Sequence, residues 1–141
     1  MSIAEIEIGH EIPRLEAVIS GDQVRRFATA AKMPGQRFFS DEVARKEGLR
    51  GQIFPGNLSM ALLSRMVHDW LPQARIVRLG VTFRGVVYPG TIVCSGFVTD
   101  RRDAGTTLEL ECDVILEQEG ERRITGLAVL QLDQGSPAAP R

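Results

Sequence analysis

The apolar positions of this chain follow a helical period up to about residue 72 and a strand period after it. From Phe54 to Leu71 the sequence FPGNLSMALLSRMVHDWL places Leu58, Ala61, Leu62, Met66 and Trp70 on one stripe. Met60, Leu63 and Val67 fill much of the remaining circumference. A helix with so little polar face has to be surrounded by protein. The spacing predicts it over about Gly56–Trp70, opened by Pro55-Gly56-Asn57 and ended by Pro72. Ahead of it, Ser20-Gly21-Asp22-Gln23 fits a capping box, and Val24, Phe27, Ala28 and Ala31 continue at helical spacing until Pro34-Gly35. Ser40 or Asp41 caps a predicted short helix, Glu42–Glu47, closed by Gly48. Ile3, Ile6, Ile8 and Ile12 predict an extended N-terminal segment lying on the core.

Beyond Pro72 the alternation is two-fold. Val77, Leu79, Val81 and Phe83 alternate with Arg78, Gly80, Thr82 and Arg84, the pattern of a strand with one wet face. Thr91–Val98 follows a Pro89-Gly90 turn. Leu108, Leu110, Cys112 and Val114 mark a third strand and Arg123–Leu132 a fourth, with hairpin turns at Asp103–Gly105 and Glu119-Gly120. Hairpin-linked strands make an antiparallel meander. The expected class is therefore α+β, an antiparallel β-sheet wrapped around one long central helix. Residues 1–133 are expected to be a single domain, and 134–141, polar and rich in Pro and Ala, a flexible tail. There is no internal repeat and no linker.

Composition narrows the function. In 141 residues, 17 basic side chains meet 18 acidic ones for a net charge of −1, which leaves no footprint for nucleic acid or an anionic membrane. No apolar run is long enough to span a bilayer, and the N-terminus lacks the layout of a signal peptide. Cys94 and Cys112 are not spaced as metal ligands. They are expected as buried reduced thiols, with a disulfide as the lesser alternative, so the cytoplasm is the expected compartment. No metal or cofactor is called for.

Three blocks carry a family likeness: Phe27-Ala28-Thr29-Ala30, Ile53-Phe54-Pro55-Gly56-Asn57-Leu58, and Leu79-Gly80-Val81-Thr82-Phe83-Arg84-Gly85-Val86-Val87-Tyr88-Pro89-Gly90. On them the chain resembles the MaoC-like hydratases of the hotdog superfamily. The resemblance implies a hotdog fold, a trans-2-enoyl-CoA or other acyl thioester as ligand, and an (R)-specific hydratase/dehydratase relationship. It also implies association with a second hotdog subunit, as homodimer or heteromer. The family's chemistry uses an Asp and a His five residues apart, in a pattern close to Gly-Asp-x-Asn-Pro-x-His, as base and acid on the added water. Reading without gaps from Phe27, the Gly position falls on Lys32, the Asp position on Met33, the Asn and Pro positions on Gly35 and Gln36, and the His position on Phe38. Neither Met33 nor Phe38 can exchange a proton.

What can persist is backbone. The start of the central helix presents free N–H groups and about half a positive charge, the element that polarises a thioester carbonyl in this family. Pro55, Gly56 and Asn57 occupy that place, with Gln36 and Phe38 as further candidate pocket residues; the plainer reading is a well-capped helix start. Asp41 is a candidate replacement base against a capping role, and Gln36 or Ser40 can at most orient a water. His68 lies roughly 18 Å along the helix from Gly56, and His10 lies in the N-terminal segment. Arg37, Arg50 and Arg84 are candidates for coenzyme A phosphates against ordinary surface ion pairs. Gly80, Gly85 and Gly96 either make room for a ligand or let the sheet curve. Three functions stay open at this point: a catalytically degenerate subunit partnering an active homologue, an acyl-CoA hydratase or thioesterase using non-standard residues, and a stand-alone acyl-CoA-binding module.

Overall fold

The structure, a computed structural model, describes residues 2–134. Strand β1 (Glu11–Ile19) leads into helix α1 (Gly21–Ala30), the short helix α2 (Asp41–Lys46) and the long helix α3 (Gly56–Trp70). Strands β2 (Arg75–Phe83), β3 (Gly90–Ala104), β4 (Thr107–Gln118) and β5 (Glu121–Asp133) follow. All pairs are antiparallel, and the five strands lie in the order β1-β3-β4-β5-β2. The meander β3-β4-β5 forms the centre, and the first two strands of the sequence take the two edges.

Helix α3 packs across β1, β2, β3 and β4. Its buried side, Leu58, Leu62, Leu63, Met66 and Val67, meets the inner sheet face built from Ile92, Cys94, Val98, Leu108, Leu110, Cys112, Val114, Leu116, Ile124, Ala128, Leu130 and Leu132. This is the predicted helix, with the predicted bounds. It is not covered all round: Asn57, Ala61, Arg65, His68 and Asp69 form an exposed flank, and the buried member near the start is Ser59, not Ala61.

The capping box is present in both directions: Gln23 N–H donates to Ser20 Oγ at 3.1 Å, and Ser20 N–H donates to Gln23 Oε1 at 2.7 Å. Ser40 caps α2 by accepting from Val43 N–H at 3.2 Å. The extended N-terminal segment is corrected. Ile3–Glu5 is a 3-10 turn held by Arg101, which donates to the carbonyls of Ile3 and Ile6, and Gly9 at φ +90° turns the chain before β1 begins. Ile6 and Ile12 are buried as expected, while Ile8 points to solvent.

The described residues hold five strands where four were predicted. The missed one, β1, carries Pro13 inside a register shift between Ile12 and Leu15, a position that a residue without an N–H tolerates. A second shift, between Ile76 and Arg78, leaves Val77 facing out with Ile76 inside in its place, while Leu79 and Val81 face the core as predicted. Strand β3 runs on to Ala104, well past the predicted Val98. Gln134, expected in the tail, is tied to the β3–β4 hairpin through Thr106, Gly105 and Thr107 carbonyls; residues 135–141 lie outside the described part.

Cys94 and Cys112 are free and buried, as expected. Burial pushes each thiol up to about 12, and Asp113 and Glu111 add to this at Cys112. The thiolate is the reactive form, so neither is expected to react with a thiol reagent at pH 8 until the protein unfolds. Because the folded state holds these protons more tightly than the unfolded chain, the thiols leave stability unchanged below pH 9. They lower it as pH rises from about 9 towards 12. A labelling time course with and without urea, and urea midpoints at pH 8 and pH 10, check both points; fast native labelling would contradict the burial.

Candidate functional site

The first turn of α3 is built from a sequence that supplies no side-chain cap. Pro55 is the N-cap residue and offers no acceptor, and Leu58 N–H bonds to Pro55 C=O at 3.0 Å. The N–H groups of Gly56 and Asn57 have no acceptor among the described residues, the condition in which a helix start attracts a partial negative charge.

Two segments bracket this turn. On one side, Asn57 Nδ2 donates to Met33 Sδ at 3.5 Å, so the residue at the expected Asp position stands against the helix start. On the other, the Phe83 ring lies over Gly56: a Cβ there would sit 2.7 Å from Phe83 Cζ. A side chain at position 56 would have to push this ring aside, and Phe83 is 54% exposed. Phe83 is a site residue that the sequence reading missed, since its place in an alternating strand marks it only as core.

The loops are held by buried amides and one arginine. Gln52 donates from Nε2 to the carbonyls of Gly21 (3.0 Å) and Phe38 (2.7 Å), and its backbone N–H donates to Asp41 Oδ1 at 2.8 Å. Gln118 accepts from Tyr88 N–H at 2.9 Å and donates to Tyr88 C=O at 2.7 Å. Arg123 donates to Val86 C=O at 2.6 Å, and Val87 C=O accepts from Phe54 N–H at 2.8 Å, which fixes the 84–89 loop beside the residues leading into α3. None of these three side chains announces itself in sequence, because each is recognised by backbone carbonyls or amides brought in from afar.

The structure sorts the other candidates. Phe38 is half-buried in the loop that begins at Met33, in a 3-10 turn from Gln36 to Phe38. Gln36 is exposed there, and Asp41 is occupied in tethering Gln52 at the start of α2. Arg37 makes a two-point ion pair with Glu47 (2.8 and 3.2 Å), whose hydrogen bond raises the arginine and lowers the carboxylate from their ordinary values. Arg50 stacks 4.2 Å from the Tyr88 ring and bonds Glu119, while Arg84 donates to Thr125. His68 is exposed on α3, and His10 stacks on Trp70 with centroids 5.7 Å apart. Gly85 and Gly96 are close-packed, with Cβ positions 3.1 Å from Arg123 Cδ and 2.5 Å from Asp113 O, whereas Gly80 faces open space. Five surface hollows of about 240 to 700 Å³ receive no lining from Gly56 or Asn57.

One long helix laid on an antiparallel sheet of order β1-β3-β4-β5-β2, with its N-terminus held by loops from both halves, defines a hotdog protein. The sequence matches the family model "FAS1-like, dehydratase domain region" over residues 7–123, and the chain belongs to that family. No curated protein matches it by sequence. Among solved structures it is similar to the ChsH1-ChsH2 complex from Mycobacterium tuberculosis, at TM-score 0.81 and 20% identity over 89% of this chain and 98% of that one. The (R)-hydratase from A. caviae involved in PHA biosynthesis gives 0.79 and 22% over 91% and 98%. The C-terminally truncated HadBC (3R-hydroxyacyl-ACP dehydratase) complex from Mycobacterium tuberculosis gives 0.75 and 18% over 88% and 96%.

Proposed function

We propose that this chain is an acyl-thioester-binding MaoC-like subunit, catalytically degenerate in itself, that pairs with a second hotdog subunit carrying the acid and base. The observation that supports the reading is Met33 Sδ against Asn57 Nδ2 beside an uncapped helix start; on the alignment from Phe27, position 33 is taken as the family's Asp position, and a thioether has no proton to move. The thioester carbonyl oxygen would accept from the N–H groups of Gly56 and Asn57, with Pro55, Gln36 and Phe38 as further pocket residues. Phe83 then forms the wall over the carbonyl. Acyl-CoA is the proposed ligand, residues 1–133 the proposed single domain, and the cytoplasm the proposed compartment, which suits two free thiols. Two structural relatives are complexes of two different subunits, which supports the partner role.

The test offers the purified chain a panel of trans-2-enoyl-CoA thioesters, following hydration by the loss of enoyl absorbance and binding by calorimetry. Binding without hydration is the expected result. Hydration at an enzymic rate, about 1 s⁻¹ or faster, would overturn the degenerate assignment, and absence of binding would overturn the thioester site.

A further inference from the structure

The sulfur atoms of the described residues fall into two groups. Cys94, Cys112 and Met66 are buried in the core, whereas Met33 and Met60 are partly exposed. Of these five, only Met33 accepts a hydrogen bond at sulfur among the described residues, from Asn57 Nδ2 at 3.5 Å. Its backbone is placed by the end of another helix. Lys32 stands at φ +55°, in the left-handed position that glycine usually fills. The N–H groups of Lys32 and Met33 donate to the carbonyls of Thr29 (3.1 Å) and Ala28 (2.9 Å), the two bonds of a Schellman motif. The C-terminus of α1 thus delivers a thioether to the N-terminus of α3.

Helix α3 is left uncapped by this contact. Pro55 offers no capping side chain, the N–H groups of Gly56 and Asn57 have no acceptor among the described residues, and a thioether is a weak acceptor. Oxidation changes that balance. When hydrogen peroxide meets a thioether, the O–O bond breaks and an S–O bond forms. The sulfur gives up two electrons, and the second oxygen leaves as water with the proton of the first. The product is a polar sulfoxide, whose oxygen accepts hydrogen bonds as an amide carbonyl does. Three rotatable bonds in the methionine side chain let that oxygen turn towards Asn57 Nδ2 and the first N–H groups of the helix.

We propose that Met33 is a modification site, oxidised by hydrogen peroxide to the sulfoxide, which caps α3 and closes its first turn to an acyl thioester. The added oxygen competes for the same N–H groups that a thioester carbonyl would use. A methionine sulfoxide reductase reverses the step: the sulfoxide oxygen leaves as water while two thiols become a disulfide. Oxidation of a packed methionine ordinarily disrupts its surroundings; here it supplies an acceptor that the helix lacks, so the sign of the stability change is opposite. The closure rests on the thioester reading given above, and the capping does not.

The test treats the full chain with a series of hydrogen peroxide concentrations and locates the added oxygen by peptide mass spectrometry. Thermal melting and calorimetric binding of a short trans-2-enoyl-CoA follow on the same samples. Met33 is expected to gain oxygen while Met66 does not. Treated wild type should melt roughly 2 to 5 °C higher than treated Met33→Leu, measured against each untreated protein, the shift that one helix cap gives. This comparison cancels the effect of oxygen added elsewhere. Met33→Gln, which carries an amide carbonyl in place of the sulfoxide, should show the same rise without peroxide. Affinity for the thioester should fall at least about tenfold on oxidation, and the reductase should restore both readouts. A Met33 that stays unoxidised while Met60 is converted, or melting that shifts equally in wild type and Met33→Leu, would overturn the proposal. A raised melting temperature with unchanged thioester affinity would overturn the closure. An untreated chain that binds no thioester would instead overturn the thioester reading, and the melting comparison would still decide the capping.

Discussion

Replacing Met33→Asp and Phe38→His together is expected to raise the hydration rate of a short trans-2-enoyl-CoA by about 10² to 10⁴ over the unmodified chain, the range a positioned acid–base pair contributes. The two positions lie in the loop tied by Gln52, and the first already touches the opening turn of α3. A carboxylate at position 33 would accept from Asn57 and sit near the positive end of the helix, which favours its ionised, proton-accepting form. Each change alone should give less than about tenfold, because base and acid act as a unit. Initial rates on the three variants check this, with calorimetric binding as the control for an intact site. An unchanged rate in a variant that still binds thioester would mean that the two positions do not face the reacting carbons.

The largest stability effect is expected at Leu63→Ala. Leu63 is fully buried midway along α3, where the helix crosses the inner sheet face. Truncation leaves a cavity that close-packed strands cannot collapse, at a cost of about 3 to 5 kcal/mol. Against a typical total of about 5 to 15 kcal/mol, that removes about a fifth or more of the stability and lowers the melting temperature by roughly 10 °C. Urea unfolding should show a reduced midpoint with an unchanged slope. A loss below about 1 kcal/mol would indicate that the helix is held by other faces than the one assigned.

Much of this was legible because local chemistry decided it. Ser20 and Gln23 announce α1 by satisfying two orphan donors reciprocally, and the prolines at 55 and 72 fix both ends of α3. Turns with glycine set the meander. What escaped was decided at long range. Pro13 disguises β1, and a bulge at Val77 turns that residue outward, although Leu79 and Val81 beyond it face the core as their alternation predicts. The ring of Phe83 reaches Gly56 only because an edge strand passes the helix start, a relation of 27 positions that no window reveals. Gln52, Gln118 and Arg123 bind carbonyls whose paths are known only after the chain has folded.

The strand order has a consequence for synthesis. Strand β1 pairs only with β3, and β2 only with β5, so nothing emerging before residue 90 finds a strand partner within itself. The nascent N-terminal half, including the apolar face of α3, must wait while the local hairpins of the C-terminal half form. Loop closure over such separations is slow. The chain therefore leaves the ribosome with its stickiest helix first and its scaffold last. It should need shielding by a chaperone for the seconds that translation of the meander takes.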